Sequence, residues 1–494
     1  MKKIIILIFI TIILTTGCGV FKEEYNTLIV EDLNNIQTDK IDTYDIDVLF
    51  NPDKKTYTAK QRVKYINKEN NELDRVYFHI YPNAFKYKET APFLFDDFNS
   101  AYPNGFSKGY IKINKITIED KKVNFLVFGK GDTILKVPLN EKLKPEESVE
   151  INMEYEVLMP PARDRFGYGE KTFNFGNWYP IAAVYDDDGW NLDPYYSVGD
   201  PFYSDVSNFN VKIKAPKDYI IASSGNIIKD KEKDDFKIWE IDSDLMRDFA
   251  WVASKDFIVE SKDVDGTLVK VYLLNENENI NNFALDVSCN SIKTFNTVFG
   301  KYPYGSYSVV QTSFPSGMEY PGIVFIGEKY YNENSKGYLE TVIAHETAHQ
   351  WWYGVVGNNE VDEAWLDESL TSYSEVIYAN EIYGKDVADK YYNDSIKKYY
   401  NTYKGMTQSK ENIVKPLNEF NNWDDYGPLV YGKGAIFVHE IKNQYGEETL
   451  YKILKEYYNR NRFLNANTND FLKICEEITG DDLDSLINSW IYGK

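Results

Sequence analysis

The pattern H-E-x-x-H, formed by His345, Glu346 and His349, constrains this chain more than any other stretch of its sequence. Apolar residues precede the pattern and Gly354 follows it, so the stretch is predicted to be a helix that ends near that glycine. Residues four positions apart lie on one face of a helix, so both imidazoles can reach the same metal ion. The motif therefore favours a helix that presents two metal ligands, with the carboxylate of Glu346 beside the ion.

A second helical pattern runs over residues 364–383 and is predicted to end at Gly384, with Glu368 in its first turns. Two imidazoles and one carboxylate form a ligand set that proteins use for catalytic zinc, and this set leaves the fourth position open for water. Glu375 lies two turns after Glu368 on the same face, so we predict that it accepts a hydrogen bond from a ligand imidazole. The sequence thus predicts a site for one Zn²⁺ ion per chain, held by the two histidines and Glu368.

The first residues of the chain have the pattern of a signal peptide. Lys2 and Lys3 precede an apolar run over residues 4–14, which is too short to span a bilayer. The following residues resemble a bacterial lipobox, so we predict that residues 1–18 are a lipoprotein signal peptide and that Cys18 carries the lipid. A plain secretory signal with an incidental cysteine is the alternative. Both interpretations place the protein outside the cytoplasm, and a lipid anchor would hold it on the outer face of the cell membrane.

Charge and cysteine content exclude several classes of site. The net charge of −22, from 77 acidic and 55 basic residues, argues against nucleic acid as a partner and against electrostatic adhesion to a membrane. With Cys18 assigned to the anchor, Cys289 and Cys475 remain, and their spacing does not decide whether they pair. The sequence contains no C-x-x-C pattern, which excludes the common cysteine-based zinc and redox motifs.

Hydrophobic patterns divide the chain into segments. Residues 19–40 are polar and are predicted to be a short tether. Residues 41–259 carry alternating or β-branched runs broken by turn residues, which predicts an N-terminal domain of mostly antiparallel strands. Residues 260–494 show a helix and short strands and then apolar residues at helical spacing, which predicts a mixed strand lobe followed by a helical lobe. The expected fold class is α+β, and the second domain has a thermolysin-like layout with the metal helix between its lobes.

Further stretches accompany the metal motif on both sides. They are GNWYP at 176–180, GDPFYSDVSNFNVKIKAP at 199–216, SGMEYPG at 316–322, HETAHQWWYG at 345–354, WLDESLTSYSE at 365–375 and YGKG at 431–434. Together they resemble the aminopeptidase N family of zinc metallopeptidases, gluzincins whose third ligand is a distal glutamate. The resemblance covers most of residues 41–494. The chain ends near the point where the family's catalytic domain ends, so we expect a short member without the C-terminal helical domain.

The resemblance implies roles in catalysis for the matching residues. His345, His349 and Glu368 match the zinc ligands of the family. Glu346 matches the general base that takes a proton from the attacking water, and Tyr431 matches the tyrosine that stabilises the oxyanion. The chemistry agrees with these roles, because a peptide carbonyl is a poor electrophile and needs an activated nucleophile and a stabilised oxyanion.

The resemblance also implies where the substrate binds. Gly317, Met318 and Glu319 match the substrate-binding stretch, in which Glu319 holds the free α-amino group of a peptide. This chain has Ser316 where the family has a glycine and Tyr320 where the family has an asparagine. These two differences concern the shape of the first substrate pocket and leave Glu319 in place.

The expected function is zinc-dependent removal of N-terminal residues from peptides that have a free N-terminus. A peptidase that also cuts internal bonds is an alternative, because an uncapped site would admit longer chains. A non-catalytic surface protein that binds peptides is a second alternative, although the intact Glu346 argues against an inactive site. Epoxide hydrolysis occurs in some relatives, but no residue here singles it out.

Overall fold

The computed structural model describes residues 26–95, 97–274, 276–407 and 411–494. The predicted signal peptide, with Cys18, lies outside the described residues, as does the start of the predicted tether. The remainder of that segment contacts the body of the protein. Asp32 forms an ion pair with Arg462 at 2.5 Å, and the backbone of Ile29 donates to the carbonyl of Pro303.

An eight-stranded sheet forms the largest layer of the N-terminal half. In spatial order its strands are Asn226–Lys233, Phe236–Met246, Ser207–Pro216, Thr43–Asn51, Thr56–Ile66, Ser148–Leu158, Tyr110–Ile118 and Lys121–Lys122. Buried and exposed residues alternate along Thr43–Asn51 and Thr56–Ile66, as expected for strands that cover a core on one face. Thr43–Asn51 is parallel to Ser207–Pro216, whereas its other neighbour is antiparallel.

Two smaller sheets lie near the buried face of this large sheet. One has four strands, Ile220–Ser223, Trp251–Ser254, Phe173–Phe175 and Phe166–Tyr168, and the other has Ile181–Ala182, Leu73–His79, Ile134–Leu143 and Leu126–Phe128. Tyr185–Asp186 and Gly189–Trp190 form a separate hairpin. Aromatic residues pack in the space between the layers. Phe50 and Tyr57 of the large sheet contact Phe175, with 5.2 and 5.6 Å between ring centroids.

A five-stranded sheet begins the C-terminal half. Its order is Ile258–Val264, Thr267–Leu273, Ser306–Thr312, Ile323–Gly327 and Gly317–Met318. The third and fourth strands are parallel and completely buried, which explains why their residues do not alternate in polarity. The last strand is antiparallel to its neighbour and leads directly into Glu319.

Most of the described helices follow this sheet, whereas Phe98–Ala101 precedes it and Glu278–Val298 lies between its second and third strands. The α-helices of eight or more residues are Glu278–Val298, Lys336–Ala348, Trp365–Tyr383, Lys398–Met406, Gly434–Tyr445, Glu447–Asn461 and Thr468–Thr479. Shorter ones are Phe98–Ala101, Glu360–Glu363, Lys385–Tyr391, Trp423–Tyr426 and Asp484–Trp490, and Tyr392–Lys397 and Gly427–Lys433 are π-helical. We call Lys336–Ala348 the motif helix and Trp365–Tyr383 the glutamate helix.

The motif helix is shorter than the sequence predicts. It ends at Ala348 with His349 as its cap, and the chain then turns so that Gly354 donates to the carbonyl of His349 at 2.8 Å. The turn buries Trp351 and Trp352 in the core. It takes the place of the helical residues that the sequence predicts up to Gly354. The glutamate helix ends at Tyr383 before Gly384, as predicted.

The prediction of an α+β fold, with an antiparallel β part followed by a mixed sheet and helices, is confirmed. The division at residues 259 and 260 stays a prediction. Cys289 and Cys475 are buried free thiols. Among the described helices, none is both long and apolar enough to cross a membrane.

Candidate active site

The two helices bring three predicted metal ligands together. His345 Nε2 and His349 Nε2 lie 3.1 Å apart, and Glu368 Oε2 lies 3.3 Å from the first and 3.4 Å from the second. His349 and Glu368 are buried, and His345 is partly buried. The three donor atoms therefore form a nearly equilateral triangle below the surface.

The triangle has the dimensions of a zinc site. Zinc binds nitrogen and carboxylate oxygen at about 2.0–2.1 Å, so two ligands of a tetrahedral ion are about 3.3 Å apart. Glu368 Oε2 is also buried without a hydrogen-bond partner, which is costly for a carboxylate unless a cation lies against it. Both observations show that these three residues fit a tetrahedral Zn²⁺ ion with one position left for another molecule.

Carboxylates fix the orientation of both imidazoles. His345 Nδ1 lies 2.6 Å from Glu375 Oε1, and His349 Nδ1 lies 2.5 Å from Asp367 Oδ1. When Nδ1 donates its proton to a carboxylate, Nε2 keeps a free lone pair that would be available to a metal ion. Tyr391 in turn donates to the second oxygen of Glu375.

Asp367 is a site residue that the sequence analysis missed, whereas Glu375 lies where the helical spacing predicts. Consecutive helical residues point about 100° apart, so the pair Asp367 and Glu368 can serve two different atoms of one site. The acidic pair at the start of the glutamate helix is the signal that could have identified Asp367.

Glu346 lies beside the triangle, on the floor of the cleft. Its side chain is buried, and its Oε2 has no hydrogen-bond partner. A Cβ atom on Gly317 would lie 1.8 Å from Glu346 Oε1, so the absence of a side chain at Gly317 makes room for this carboxylate. Burial raises the pKa of Glu346 to about 7, against the opposing effect of the neighbouring histidines. A bound cation would lower that pKa and keep the carboxylate ionised at neutral pH.

Glu319 lines the same cleft and is buried, and its Oε1 has no hydrogen-bond partner. Burial raises the pKa of Glu319 well above its usual range, and the nearby Asp200 raises it further. Gln350 holds the backbone at this point, because its Nε2 donates to the carbonyls of Glu319 and Tyr320 at 3.3 Å. A buried carboxyl group of this kind is suited to bind a cationic group that enters from the cleft.

The other residues of this stretch have different surroundings. Met318 is buried, and its sulfur lies 2.9 Å from Arg165 Nε. Ser316 lines the cleft. The side chain of Tyr320 is fully buried and donates to Asn177 Oδ1 at 2.6 Å. Of the two differences from the family, Ser316 therefore borders the cleft, and Tyr320 contacts the β part.

Tyr431 reaches the site from the π-helix Gly427–Lys433. Its hydroxyl donates to Glu368 Oε1 at 2.5 Å, and its ring stacks on His345 with 5.9 Å between centroids. The hydroxyl is thus next to the ligand carboxylate and borders the cleft. π-Helical turns are frequent at functional sites, where they shift a side chain relative to an ordinary helix.

A buried ion pair from the N-terminal half forms another wall of the cleft, and the sequence analysis missed it. Arg165 pairs with Asp200, and both residues are buried and line the cleft. Arg165 also lies over the ring of Phe314 at 5.8 Å. The volume of the cleft is about 310 Å³, which is within the range of small-ligand pockets.

Residues 283–490 match the family model described as Peptidase family M1 domain. This segment is therefore similar to the M1 family of peptidases. The chain is 28% identical over 258 residues to an aminopeptidase N from Lactococcus lactis subsp. lactis, which covers 47% of this chain and 29% of that protein. It is 25% identical over 302 residues to aminopeptidase M1-B from Oryza sativa subsp. japonica, covering 58% of this chain and 34% of that protein. The matched region thus spans about a third of the length of these relatives.

Solved structures show the same fold. An M1 zinc metallopeptidase from Deinococcus radiodurans superposes with a TM-score of 0.66 at 14% identity, covering 92% of this chain and 94% of that one. A structure described as a two-domain M1 zinc metallopeptidase mutant superposes with a TM-score of 0.64 at the same identity and coverage. The M1 fold therefore extends over both the β part and the helical part of this chain.

The zinc affinity should depend on both carboxylates behind the histidines. We expect Asp367→Asn and Glu375→Gln each to raise the dissociation constant for Zn²⁺ by about 10- to 100-fold, because each loosens one imidazole. Competition with a chromophoric chelator at fixed pH measures this constant. Asp386→Asn, at an exposed carboxylate, is the control and should leave it unchanged. Equal affinities in all three variants would contradict the orienting role.

Proposed function

We propose that this protein is a zinc-dependent aminopeptidase that hydrolyses N-terminal residues from peptides. The arrangement of the metal triangle next to the buried, unpaired Glu319 is the observation that carries the proposal. The triangle fits an ion that activates an amide for hydrolysis, and Glu319 fits the ammonium group of a peptide's first residue. The similarity to the M1 family supports the same proposal, because the relatives that match are aminopeptidases by name.

Two side chains beside the metal triangle have separate roles in hydrolysis. A bound Zn²⁺ ion would polarise the substrate carbonyl and lower the pKa of a water molecule to about 7. Glu346 is placed to take the proton from the attacking water and to pass it to the leaving amine. Tyr431 is placed to donate a hydrogen bond to the oxyanion, and a donor of this type contributes about 100- to 1000-fold in rate.

Recognition of the free N-terminus rests on charge. Burial raises the pKa of Glu319, and the nearby carboxylate of Asp200 raises it further. An ammonium group bound at this position would balance the charge of Glu319. It would also supply the hydrogen bonds that water gives to an exposed carboxylate. The Deinococcus fold neighbour has been solved as a mutant bound to a Tyr-Ser-Ala substrate. We therefore assign peptides with a free N-terminus as the substrates of this chain.

Glu346 should be required for activity but not for metal binding. We expect Glu346→Gln to retain one Zn²⁺ per chain, measured by mass spectrometry of metals, and to lose about 100- to 10,000-fold in kcat, because the variant cannot accept a proton. Glu333→Gln, at an exposed carboxylate ahead of the motif helix, is the matched control. Loss of zinc from the Glu346 variant would identify this residue as a ligand instead.

End-specificity should reside in Glu319. We expect the protein to cleave aminoacyl amides with a free amine and to leave their N-acetylated forms intact, because acetylation removes the charge that pairs with Glu319. Glu319→Gln should lower kcat/KM for the free-amine substrates by about 100-fold or more, whereas Glu328→Gln, at an exposed position, should not. Equal cleavage of blocked and free substrates would favour the alternative of a peptidase that cuts internal bonds.

A non-catalytic role is the remaining alternative, in which the metal site only binds peptides. The intact Glu346 beside the triangle speaks against it, because an inactive site does not need a buried carboxylate at this position. Zinc-loaded protein that fails to hydrolyse a broad panel of free-amine peptides would favour this alternative.

We also propose that the protein is exported and lipid-anchored through Cys18 on the outer face of the cell membrane. The charged start, the short apolar run and the TGC sequence support this location. In a bacterial host, we expect radioactive palmitate to label the protein and membranes to retain it. Cys18→Ala should abolish the label and release the protein from the membrane fraction. Label in the Cys18 variant, or an unlabelled protein that is secreted, would contradict the lipid anchor.

A further inference from the structure

A row of aromatic rings leads from the mouth of the cleft to the metal triangle. Phe95 contacts Trp423 at 5.0 Å between ring centroids, Trp423 contacts Tyr426 at 5.3 Å, and Tyr426 contacts Tyr431 at 5.9 Å. Tyr431 stacks on the metal ligand His345. Trp423 and Phe95 form the outer end of the row and both line the cleft, so they are positioned to contact a substrate.

Phe95 and Trp423 come from distant parts of the chain. Phe95 belongs to a loop of the N-terminal half, and Trp423 begins the short helix Trp423–Tyr426. About half of the side chain of Phe95 is exposed (52%), and its backbone has φ = 55°, which is unfavourable for a bulky residue. A strained conformation that holds a large apolar ring at the mouth of a cleft indicates a functional contact.

A short stretch of backbone connects the pair to the amine side of the cleft. The indole of Trp423 donates to the carbonyl of Ser197 at 3.1 Å. The chain continues from Ser197 to Asp200, which pairs with Arg165 and raises the pKa of Glu319. Because the predicted ammonium site is at Glu319, the side chain of the first substrate residue would extend from this region of the cleft.

Each charged group near the predicted ammonium site has a partner of opposite charge. Arg165 is paired with Asp200, and Glu319 would be paired with the ammonium group of the substrate. Among the residues that line the cleft, Leu94, Phe95 and Trp423 offer apolar surface to the first side chain. Apolar surface of this kind favours large apolar side chains over small or charged ones.

We propose that Phe95 and Trp423 form an aromatic clamp that contacts the side chain of the substrate's N-terminal residue and selects large apolar residues. The proposal rests on the aminopeptidase function proposed above and adds the substrate class to it. The clamp acts through binding, so its contribution should appear mainly in KM and should leave kcat nearly unchanged for small substrates.

Kinetics with aminoacyl coumarin amides of Phe, Leu, Ala, Arg and Glu test the clamp. The unmodified protein should prefer Phe and Leu. We expect Trp423→Ala to lower kcat/KM for Phe and Leu at least 10-fold and to change it for Ala less than 3-fold, because Ala hardly reaches the rings. Phe95→Gly removes the ring and suits the positive φ, so it should have the same direction of effect. Trp423→Phe should restore part of the preference, and Leu126→Ala, at a remote and exposed apolar residue, should retain all of it.

Two other patterns would overturn the clamp. An equal loss for all five substrates would show that Trp423 only supports the fold, and a selective loss for Arg would show that the rings bind a cation. A binding measurement separates these results from failure of the proposed function. By calorimetry, zinc-loaded Glu346→Gln should bind L-phenylalaninamide at least 10-fold more tightly than L-alaninamide, and adding Trp423→Ala should remove that difference. Equal affinities in the presence of Trp423 would exclude the clamp whether or not the protein is catalytic.

Discussion

Buried carboxylates that lack enough partners determine the character of this site. Glu319, Glu346 and Glu368 all have an oxygen that is buried without a hydrogen bond, and Asp367 has one as well. Burying an unpaired charge costs several kcal/mol or forces the group to take up a proton. A divalent ion at the triangle and an ammonium group at Glu319 would remove this cost at two adjacent points. An interior that is unfavourable for unpaired carboxylates therefore favours a metal ion and a substrate with a positive end.

Residue spacing predicts the parts of the site that depend on local geometry, whereas Glu319 and Tyr431 were predicted from the family resemblance. The spacing of His345 and His349 on one helix places both imidazoles on one face, and the two-turn spacing brings Glu375 to His345. The strands of the β part are likewise visible as alternating patterns, because one face of each covers the core. The pairing of Thr43–Asn51 with Ser207–Pro216 is not visible, because these strands are far apart in the sequence and pair in parallel.

The sequence analysis missed Arg165 and Asp200, which reach the site only through tertiary contacts. Arg165 and Asp200 follow strands and loops of the β part, and no local spacing connects them to the metal motif. The end of the motif helix was also misplaced, because burial of Trp351 and Trp352 outweighs the local preference for a helix up to Gly354. Asp367 differs from these cases, since it adjoins Glu368 in the sequence and only its partner was unknown.

Tyr320 shows how two motifs that look independent in the sequence form one contact. A Cβ atom on Gly176 would lie 2.0 Å from the hydroxyl of Tyr320, so Tyr320 requires the glycine that begins the GNWYP stretch. Its hydroxyl donates to Asn177, whose side-chain amide donates to Asp248 at 3.0 Å. The tyrosine that replaces the asparagine of the family thus fastens the Glu319 loop to the β part.

This attachment matters because the cleft is built from both halves of the chain. Arg247 adds a second link, since its guanidinium donates to the carbonyl of Tyr353 at 2.9 Å and to the carbonyl of Leu464 at 3.1 Å. The zinc triangle is in the helical part, whereas Asp200 and Phe95 come from the β part. A displacement of about 1 Å between reacting groups can cost about 100-fold in rate, so the metal and the amine-binding side must keep a fixed separation. The buried contacts of Tyr320 and Arg247 supply that rigidity, and the position of the first substrate residue relative to the metal depends on them.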